Sequence, residues 1–314
     1  MSEGTVLVTG GAGFIGSHLV DAYIGAGYDV AVVDDLSTGK RANLNPLAAF
    51  YELSLLDDKL SEVFAEIKPA IVNHHAAQAS VRRSVDDPAF DANVNIIGSL
   101  RLLEQARSAA VRKFIFASTG GAICGEQDYF PADEAHPKRP LSPYGAAKAS
   151  VEIYLGFYAA EYNLNYTALR YANVYGPRQD PQGEAGVVAI FGGLMASGGQ
   201  PVINGDGHQT RDFTYVGDVV AANLAATDAD FIGAANIGTG VETSVLALFG
   251  LMKAAAGADC EPKFGPAKAG EQQRSVLDAG LARDRLGWSP KTTLADGLRA
   301  TVDFFRGDAV SRVD

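Results

Sequence analysis

The chain has 314 residues, 47% of them hydrophobic, enough to bury a large core in one or two domains. Its formal net charge of −11 argues against nucleic acid or an anionic membrane surface, and an anionic small molecule would need basic residues gathered locally. Two cysteines far apart, Cys124 and Cys260, make no disulfide framework, and no apolar stretch is long enough to span a bilayer. A soluble protein of the reducing cytoplasm is expected.

The run Thr5–Thr9 predicts a buried strand and Phe14–Ala26 a helix, joined by Thr9-Gly-Gly-Ala-Gly-Phe-Ile-Gly16. Gly10, Gly13 and Gly16 satisfy Gly-x-x-Gly-x-x-Gly, while Gly11, Gly13 and Gly16 satisfy the other dinucleotide spacing. Residues without side chains permit the tight turn, the approach of backbone to a pyrophosphate, and the packing of helix on strand. The helix N-terminus then offers N–H groups to phosphate. The next strand, Asp29–Val33, runs into Asp34, about 18 residues past the last glycine. An acid there accepts hydrogen bonds from ribose hydroxyls and repels a 2′-phosphate. Asp35 adds to the repulsion, so NAD is expected rather than NADP.

Strands follow at Ala49–Leu53, Ala70–His74, Lys113–Ala117 and Tyr166–Arg170, with helices at Asp57–Ile67, Pro88–Ser108 and Pro143–Tyr162. That alternation predicts an α/β fold, a doubly wound parallel sheet. Past Asn173 the pattern degrades, and glycine, proline and irregular segments dominate Gly176–Asp212. A strand at Ala234–Ile237 and helices at Val245–Ala256, Leu281–Leu286 and Leu294–Phe305 close the chain. The expected division is a cofactor domain over 1–173 plus about 211–240, and a smaller, mixed substrate-binding domain over about 174–210 plus 241–314. Trp288 is expected to cover the core of the smaller domain.

Ligands of such sheets bind beyond the carboxyl ends of the strands, where Ser118 and Thr119 emerge. Tyr144 and Lys148 lie four apart on a helix and share a face. A cation beside a phenol favours the phenolate, which would let tyrosine act as a base near neutral pH. Alone, such a pair is most often a solvated face; downstream of a dinucleotide turn it reads as an acid–base pair. His74 and His75 lack Cys or His partners at ligand spacing, so no metal is expected and packing beside the cofactor is the reading. Cys124 has no adjacent His or Lys to activate it and reads as a wall residue.

In order and spacing, Thr9–Gly16, Asp34, His75-Ala-Ala-Gln-Ala-Ser-Val, Asn95, Ser118–Gly125, Tyr144–Lys148, Leu169-Arg-Tyr-Ala-Asn-Val-Tyr-Gly-Pro, Arg211-Asp-Phe and Asn236-Ile-Gly resemble one family. It is the extended short-chain dehydrogenase/reductases, and within it the nucleotide-sugar 4-epimerases. The resemblance spans nearly the whole chain, and Gly183–Phe191 is also similar to the compact bacterial enzymes of that group. It implies a Rossmann-type cofactor domain binding NAD, a UDP-sugar substrate, and a homodimer through the two long helices. Beyond Gly10, Gly13, Gly16, Asp34 and Asp35, the implied cofactor residues are Phe14, Ile15, Ser54, Leu55, His75, Ala76, Ala77, Asn95, Tyr144, Lys148 and Tyr171. Gln78, Ser80, Thr119, Tyr144, Asn173, Val187, Val188, Arg211, Arg274 and Ser275 would line the substrate.

The resemblance also implies roles. Tyr144 would be base and acid at the sugar 4-OH, and Lys148 would bind the nicotinamide ribose and lower the tyrosine pKa. Thr119 or Ser118 would bridge to the same oxygen, Asn173 would bond the UDP, and Arg211, with Arg274, would hold its diphosphate. Hydride would leave C4 for NAD, giving a 4-keto sugar tethered by UDP, and return to its other face.

Two departures stand out. The position that carries the hydroxyl in many relatives is Gly120 here, with Cys124 in place of an aromatic; and Lys268 replaces a frequent arginine. No acid follows Thr119, which disfavours dehydration and decarboxylation. Ser275 stands where a bulky residue excludes N-acetylated hexoses, so it leaves room for them, unless it is simply a small residue in a turn. UDP-glucose and UDP-galactose are the expected pair; UDP-glucuronate epimerisation and a non-catalytic NAD-binding regulator are the alternatives.

Overall fold

The computed structural model describes residues 4–182, 186–267 and 272–311. Lys268 and Gly183–Ala185 of the segment noted above lie outside the described residues. The strands are β1 (Thr5–Thr9), β2 (Asp29–Asp34), β3 (Ala49–Glu52), β4 (Ile71–His74), β5 (Lys113–Thr119) and β6 (Tyr166–Tyr171). They continue as β7 (Asn173–Tyr175), β8 (Val202–Asn204), β9 (Thr210–Tyr215), β10 (Gly233–Ile237), β11 (Glu242–Ser244) and β12 (Lys263–Gly265).

Seven strands pair in the order β3-β2-β1-β4-β5-β6-β10, and every pair is parallel. A parallel sheet needs both faces covered, because its crossovers lay helices on each side. On one face, helices Leu60–Ile67, Gly98–Ser108 and Pro143–Tyr162 bury Phe64, Leu102, Leu103 and Leu155 against Leu7, Val72 and Phe114. On the other, Leu19 and Val20 of helix Phe14–Gly25 meet Val6 and Val8 of β1, the alternate residues of the same strand. The strand order reverses between β1 and β4, which opens a ligand crevice beyond their carboxyl ends.

Three strands form a second sheet, β11-β9-β7, and β12 pairs with β8. Helices Val187–Ala196, Val245–Ala256 and Leu294–Ser311 enclose a separate core of Phe191, Met195, Ile203, Leu248, Phe249 and Leu298. The stretch expected to be irregular therefore contains a helix and two strands, and helix Val216–Asp228 behind the large sheet was not foreseen. Val187–Ala196 is apolar nearly all round and Val216–Asp228 is rich in alanine. Neither offers the polar–apolar contrast from which a 3.6-residue period is read.

Two further expectations are corrected. Trp288 packs with Val219, Ile237 and Leu286 on the large sheet's side, not in the smaller core, and its Nε1 donates to Asp218 O at 2.9 Å. The helix expected over Pro88–Ser108 contains a π-helical turn at Asn93–Ile97, between Pro88–Ala92 and Gly98–Ser108.

Lys113, at the start of β5, is almost wholly buried and donates to Asn165 Oδ1 and to the carbonyls of Ala229 and Phe231 at 2.8–3.0 Å. Burial lowers its pKa to about 8. Lys113→Met leaves three buried acceptors without a donor. It is expected to cost about 1–3 kcal/mol, read as a lower urea midpoint with an unchanged slope.

Candidate active site

At the glycine turn, Gly10 has φ +72°, and a Cβ there would lie 2.6 Å from Ala76 N. A Cβ on Gly16 would lie 2.1 Å from Gly10 O. Strand, turn and helix are thus packed closer than any side chain allows. Gly13 caps helix Phe14–Gly25 with no side-chain hydrogen bond, so the backbone itself faces the crevice mouth. Asp34 closes β2 and accepts from Ala12 N at 3.0 Å and Leu36 N at 2.8 Å. Burial pushes its carboxyl up, and those two bonds pull it back. A carboxylate retains further lone pairs for ribose hydroxyls. Asp35, beside it, is exposed and accepts from Ser37 N. Ser54 caps the turn after β3, while Leu55 is buried in the large core.

His74 accepts from Thr9 Oγ1 at 2.7 Å. Its Nε2 donates to Ser99 Oγ at 2.9 Å, because the Ser99 proton already goes to Asn95 O. Burial holds the ring far below its usual pKa, and both ring nitrogens are spent on Thr9 and Ser99, as in a neutral, structural histidine. No group of His, Cys, Asp and Glu among the described residues has metal-site geometry. His75 stacks on Tyr171 and bonds its hydroxyl at 3.0 Å. Asn223 Nδ2 donates to that hydroxyl, so the Tyr171 proton goes to His75 Nε2. Burial, then Lys148, lowers His75 to about 3, so the neutral ring carries its proton on Nδ1. That Nδ1 is buried with no hydrogen-bond partner among the described residues. A buried donor without a protein partner fits a ligand with acceptor oxygens.

Ser142 starts the next helix by accepting from Gly145 N, with Pro143 in its first turn, and Tyr144 and Lys148 follow on one face. Lys148 Nζ donates to Ala117 O at 2.8 Å and lies 5.8 Å from the centre of the Tyr144 ring. Burial, and then the charge of Asp91, pushes Tyr144 up to about 12. Burial lowers Lys148 to about 8, with Asp91 opposing. The expected lowering of the tyrosine pKa by Lys148 is therefore absent from the protein alone: the ammonium faces a carbonyl, and desolvation of the phenol prevails.

The two hydroxyls of β5 separate cleanly. Ser118 is buried and donates to Glu152 Oε1 at 2.7 Å, on the face away from Thr119. Glu152 also binds Arg170 at 2.7 and 2.9 Å and Lys138 at 2.7 Å. Ser118 belongs to this ion network rather than to the crevice. Thr119 caps the short helix Gly120–Cys124 as an acceptor, which leaves its proton for another partner.

On the substrate side, Asn173 is exposed on β7 opposite Phe213 of β9, and Arg211 on β9 faces Thr243 of β11. The segment Gln273–Ser275 runs along β9, through Thr210 N to Gln273 O and Asp212 N to Ser275 O. Arg211 donates to Thr210 O, and Arg274 pairs with Glu242 while lying 3.7 Å from the Phe130 ring centre. Ser275 is buried, its Oγ within 2.9 Å of where a Gly121 Cβ would stand. β9 thus carries Arg211, pairs with the strand of Asn173 and holds the Gln273–Ser275 segment alongside it, with Ser275 against the turn that follows Thr119. Val188 is buried in the smaller core, and Val187, partly buried, packs against it. Gln78 has its amide committed to Ser80 and Asp91, and Asn95 is committed to Gln78 and Asp91.

Glu152, Arg170, Asp91 and Asn223 escaped sequence reasoning. Glu152 alone left a signal, since Tyr144, Lys148 and Glu152 recur every four residues on one face. Asp212 of Arg-Asp-Phe is an anchor, accepting from Thr239 and from Gly240 N, not a ligand group.

Fold and site together define a dinucleotide-binding α/β enzyme with a tyrosine–lysine pair at the switch point. Residues 6–238 match the NAD dependent epimerase/dehydratase family. A UDP-glucose 4-epimerase of Thermotoga maritima, solved with UDP-glucose, is 54% identical at TM-score 0.95, over 97% of this chain and 99% of that one. The UDP-glucose 4-epimerase of Thermus thermophilus, solved with NAD, is 45% identical at TM-score 0.92, over 96% and 99%. A UDP-N-acetylglucosamine 4-epimerase of Methanobrevibacter ruminantium, in complex with UDP-N-acetylmuramic acid, is 36% identical at TM-score 0.93, over 98% and 100%. The chain belongs to the NAD dependent epimerase/dehydratase family.

Proposed function

We propose that the protein is an NAD-dependent 4-epimerase of UDP-hexoses, with UDP-glucose and UDP-galactose as its pair. What supports this is Tyr144 and Lys148 on one helix face, with Lys148 bonded at the carboxyl end of β5, on the same parallel sheet whose strand ends carry the glycine turn and Asp34. Gly10, Gly13, Gly16, Asp34 and the backbone of Phe14 and Ile15 would hold the cofactor, with the His75 Nδ1–H and Lys148 at its reactive end. Bound NAD would supply the hydride acceptor, and later the hydride donor, at the sugar C4. Tyr144 takes the 4-OH proton and returns it, and Thr119 donates its free proton to the same oxygen. Arg211 and Arg274 grip the diphosphate while the sugar is held loosely enough to turn, which places the binding energy on the UDP. An acidic chain can bind a dianion this way, because two or three placed cations outweigh a distant net charge.

The cofactor half is taken as 1–173 plus about 211–240, and the sugar-nucleotide half as about 174–210 plus 241–314. No described helix is long and apolar enough to cross a membrane. Both cysteines are free, and we place the protein in the reducing cytoplasm. We also propose a homodimer through the two long helices. Ile97, Ile153, Phe157 and Tyr162 stand 44–69% exposed on them, an apolar face that a second copy would cover.

The test is to incubate the purified protein with UDP-galactose and follow UDP-glucose by anion-exchange chromatography, with no added NAD and then with it. Conversion without net NADH supports the reading; no conversion with NAD present overturns it. Parallel reactions with UDP-N-acetylglucosamine and UDP-glucuronate define the sugar. The small side chain of Ser275 predicts turnover of the N-acetylated pair, and Ser275→Tyr is expected to abolish it with smaller loss on UDP-galactose. Equal losses on both would remove Ser275 from the sugar pocket.

A further inference from the structure

Asp91 is a buried carboxylate to which the reaction above gives no task. It lies on helix Pro88–Ala92, which packs against the helix of Tyr144 and Lys148. Its Oδ1 accepts from Gln78 Nε2 and Asn95 Nδ2, both at 2.9 Å, and Gln78 N donates in turn to Asn95 Oδ1. Its Oδ2 is buried and has no hydrogen-bond partner among the described residues. The π-helical turn at Asn93–Ile97 carries Asn95, which reaches both Asp91 and Gln78. Two amides therefore fix the orientation of the carboxylate, and one oxygen stays uncompensated. A purely structural acceptor would be served by an amide, with no charge to desolvate.

Its charge has identifiable recipients. On the long helix these are Lys148 and Tyr144. His74 and His75, beyond Lys148, are neutral. Arg82 and Arg83 of helix Val81–Asp86 lie at the exposed rim, Arg83 over the Phe90 ring, with Asp86 and Asp87 beside them in solvent. Glu152, one turn past Lys148, is neutralised by Arg170 and Lys138. Apart from desolvation, Asp91 is the influence on both catalytic groups, raising Lys148 and Tyr144 alike.

We propose that Asp91 is a positioning residue that sets the protonation of the catalytic pair, its fixed charge holding Lys148 as an ammonium and keeping the Tyr144 proton available. The inference rests on the epimerase reading, in which tyrosine must both take and return a proton. A phenolate made too stable would keep the proton off and stall the return. Loss of the negative charge lets both groups shed protons more easily, so the pH–rate profile moves to lower pH.

The test is Asp91→Asn, which keeps an acceptor for Gln78 and Asn95. Lys148 is titrated directly by NMR with isotope-labelled lysine, assigned by its loss in Lys148→Met. The Lys148 midpoint is expected to fall by roughly one pH unit, with the kcat/KM profile moving the same way. An unmoved midpoint overturns the proposal, even if the plateau rate drops. So does a variant that fails to fold, since the carboxylate would then serve the fold. The titration needs no turnover, so an inactive wild type would sink the epimerase reading while the midpoint still decides the role of Asp91.

Discussion

Tyr144→Phe is expected to lower epimerisation of UDP-galactose by roughly 10²–10⁴-fold, the span associated with a general acid–base group. Dinucleotide binding and the urea midpoint should stay near the wild-type values. The Tyr144 hydroxyl makes no hydrogen bond among the described residues, so its removal orphans no partner. Steady-state kinetics with a fluorescence titration of NADH separates the two effects: kcat should collapse while cofactor affinity does not. The same geometry gives a pH dependence. With the phenol pushed up to about 12, its base form grows as pH rises through neutrality. Lys148, lowered to about 8, loses its charge on the alkaline side. Activity should therefore climb from acid through neutral pH and level off once the lysine deprotonates, because the growing phenolate fraction then offsets the falling ammonium fraction. A flat profile from about pH 6 to about pH 10 would remove the pair from the chemistry.

Glu152→Gln carries the largest expected effect on stability. The Glu152 and Arg170 side chains are only 4% and 5% exposed, and the substitution leaves the guanidinium buried without its counter-charge. Breaking a buried pair from one side costs roughly 3–5 kcal/mol, visible as a large drop in the urea midpoint. Replacing both partners, Glu152→Met with Arg170→Met, should cost less than the single change, because no charge is then stranded. Burial alone would raise the Glu152 carboxyl. The hydrogen bonds and charge of Arg170, with Lys138 and Ser118, outweigh it and hold the group below its ordinary 4.5. The sign follows from linkage: a lowered carboxyl contributes stability above its unfolded pKa and loses it as pH falls through the folded value. Wild-type stability should drop in the acid range, and the Glu152→Gln variant should show a flatter decline there. Parallel slopes in the two proteins would mean that Arg170 does not hold the carboxylate.

The network also explains why the sequence left Ser118 and Thr119 open as the catalytic hydroxyl. Neighbours on a strand point to opposite faces, but which face meets the crevice depends on what lies behind each. Glu152 and Arg170, brought together by helix Pro143–Tyr162 and β6, claim Ser118. Thr119 is left at the turn beside Ser275 and Leu277.

Local rules were enough for the parts of this protein that are local. The strand–glycine–helix turn, Asp34 at a strand end, the spacing of Tyr144 and Lys148, and the alternation to β6 follow from backbone sterics and period, and the fold has them where the chain places them. Tertiary structure decided the rest. The strands and helices past Asn173 are stabilised by packing in a second core and lack an amphipathic signature. Trp288 went to the large sheet because residues far apart in sequence, Asp218 and Ile237, form its pocket. The Tyr144 and Lys148 pKa values were set by desolvation and by Asp91, a group more than fifty positions away from both. Electrostatics in a dry interior depend on distance in space and on lost water, and neither quantity is written in residue order.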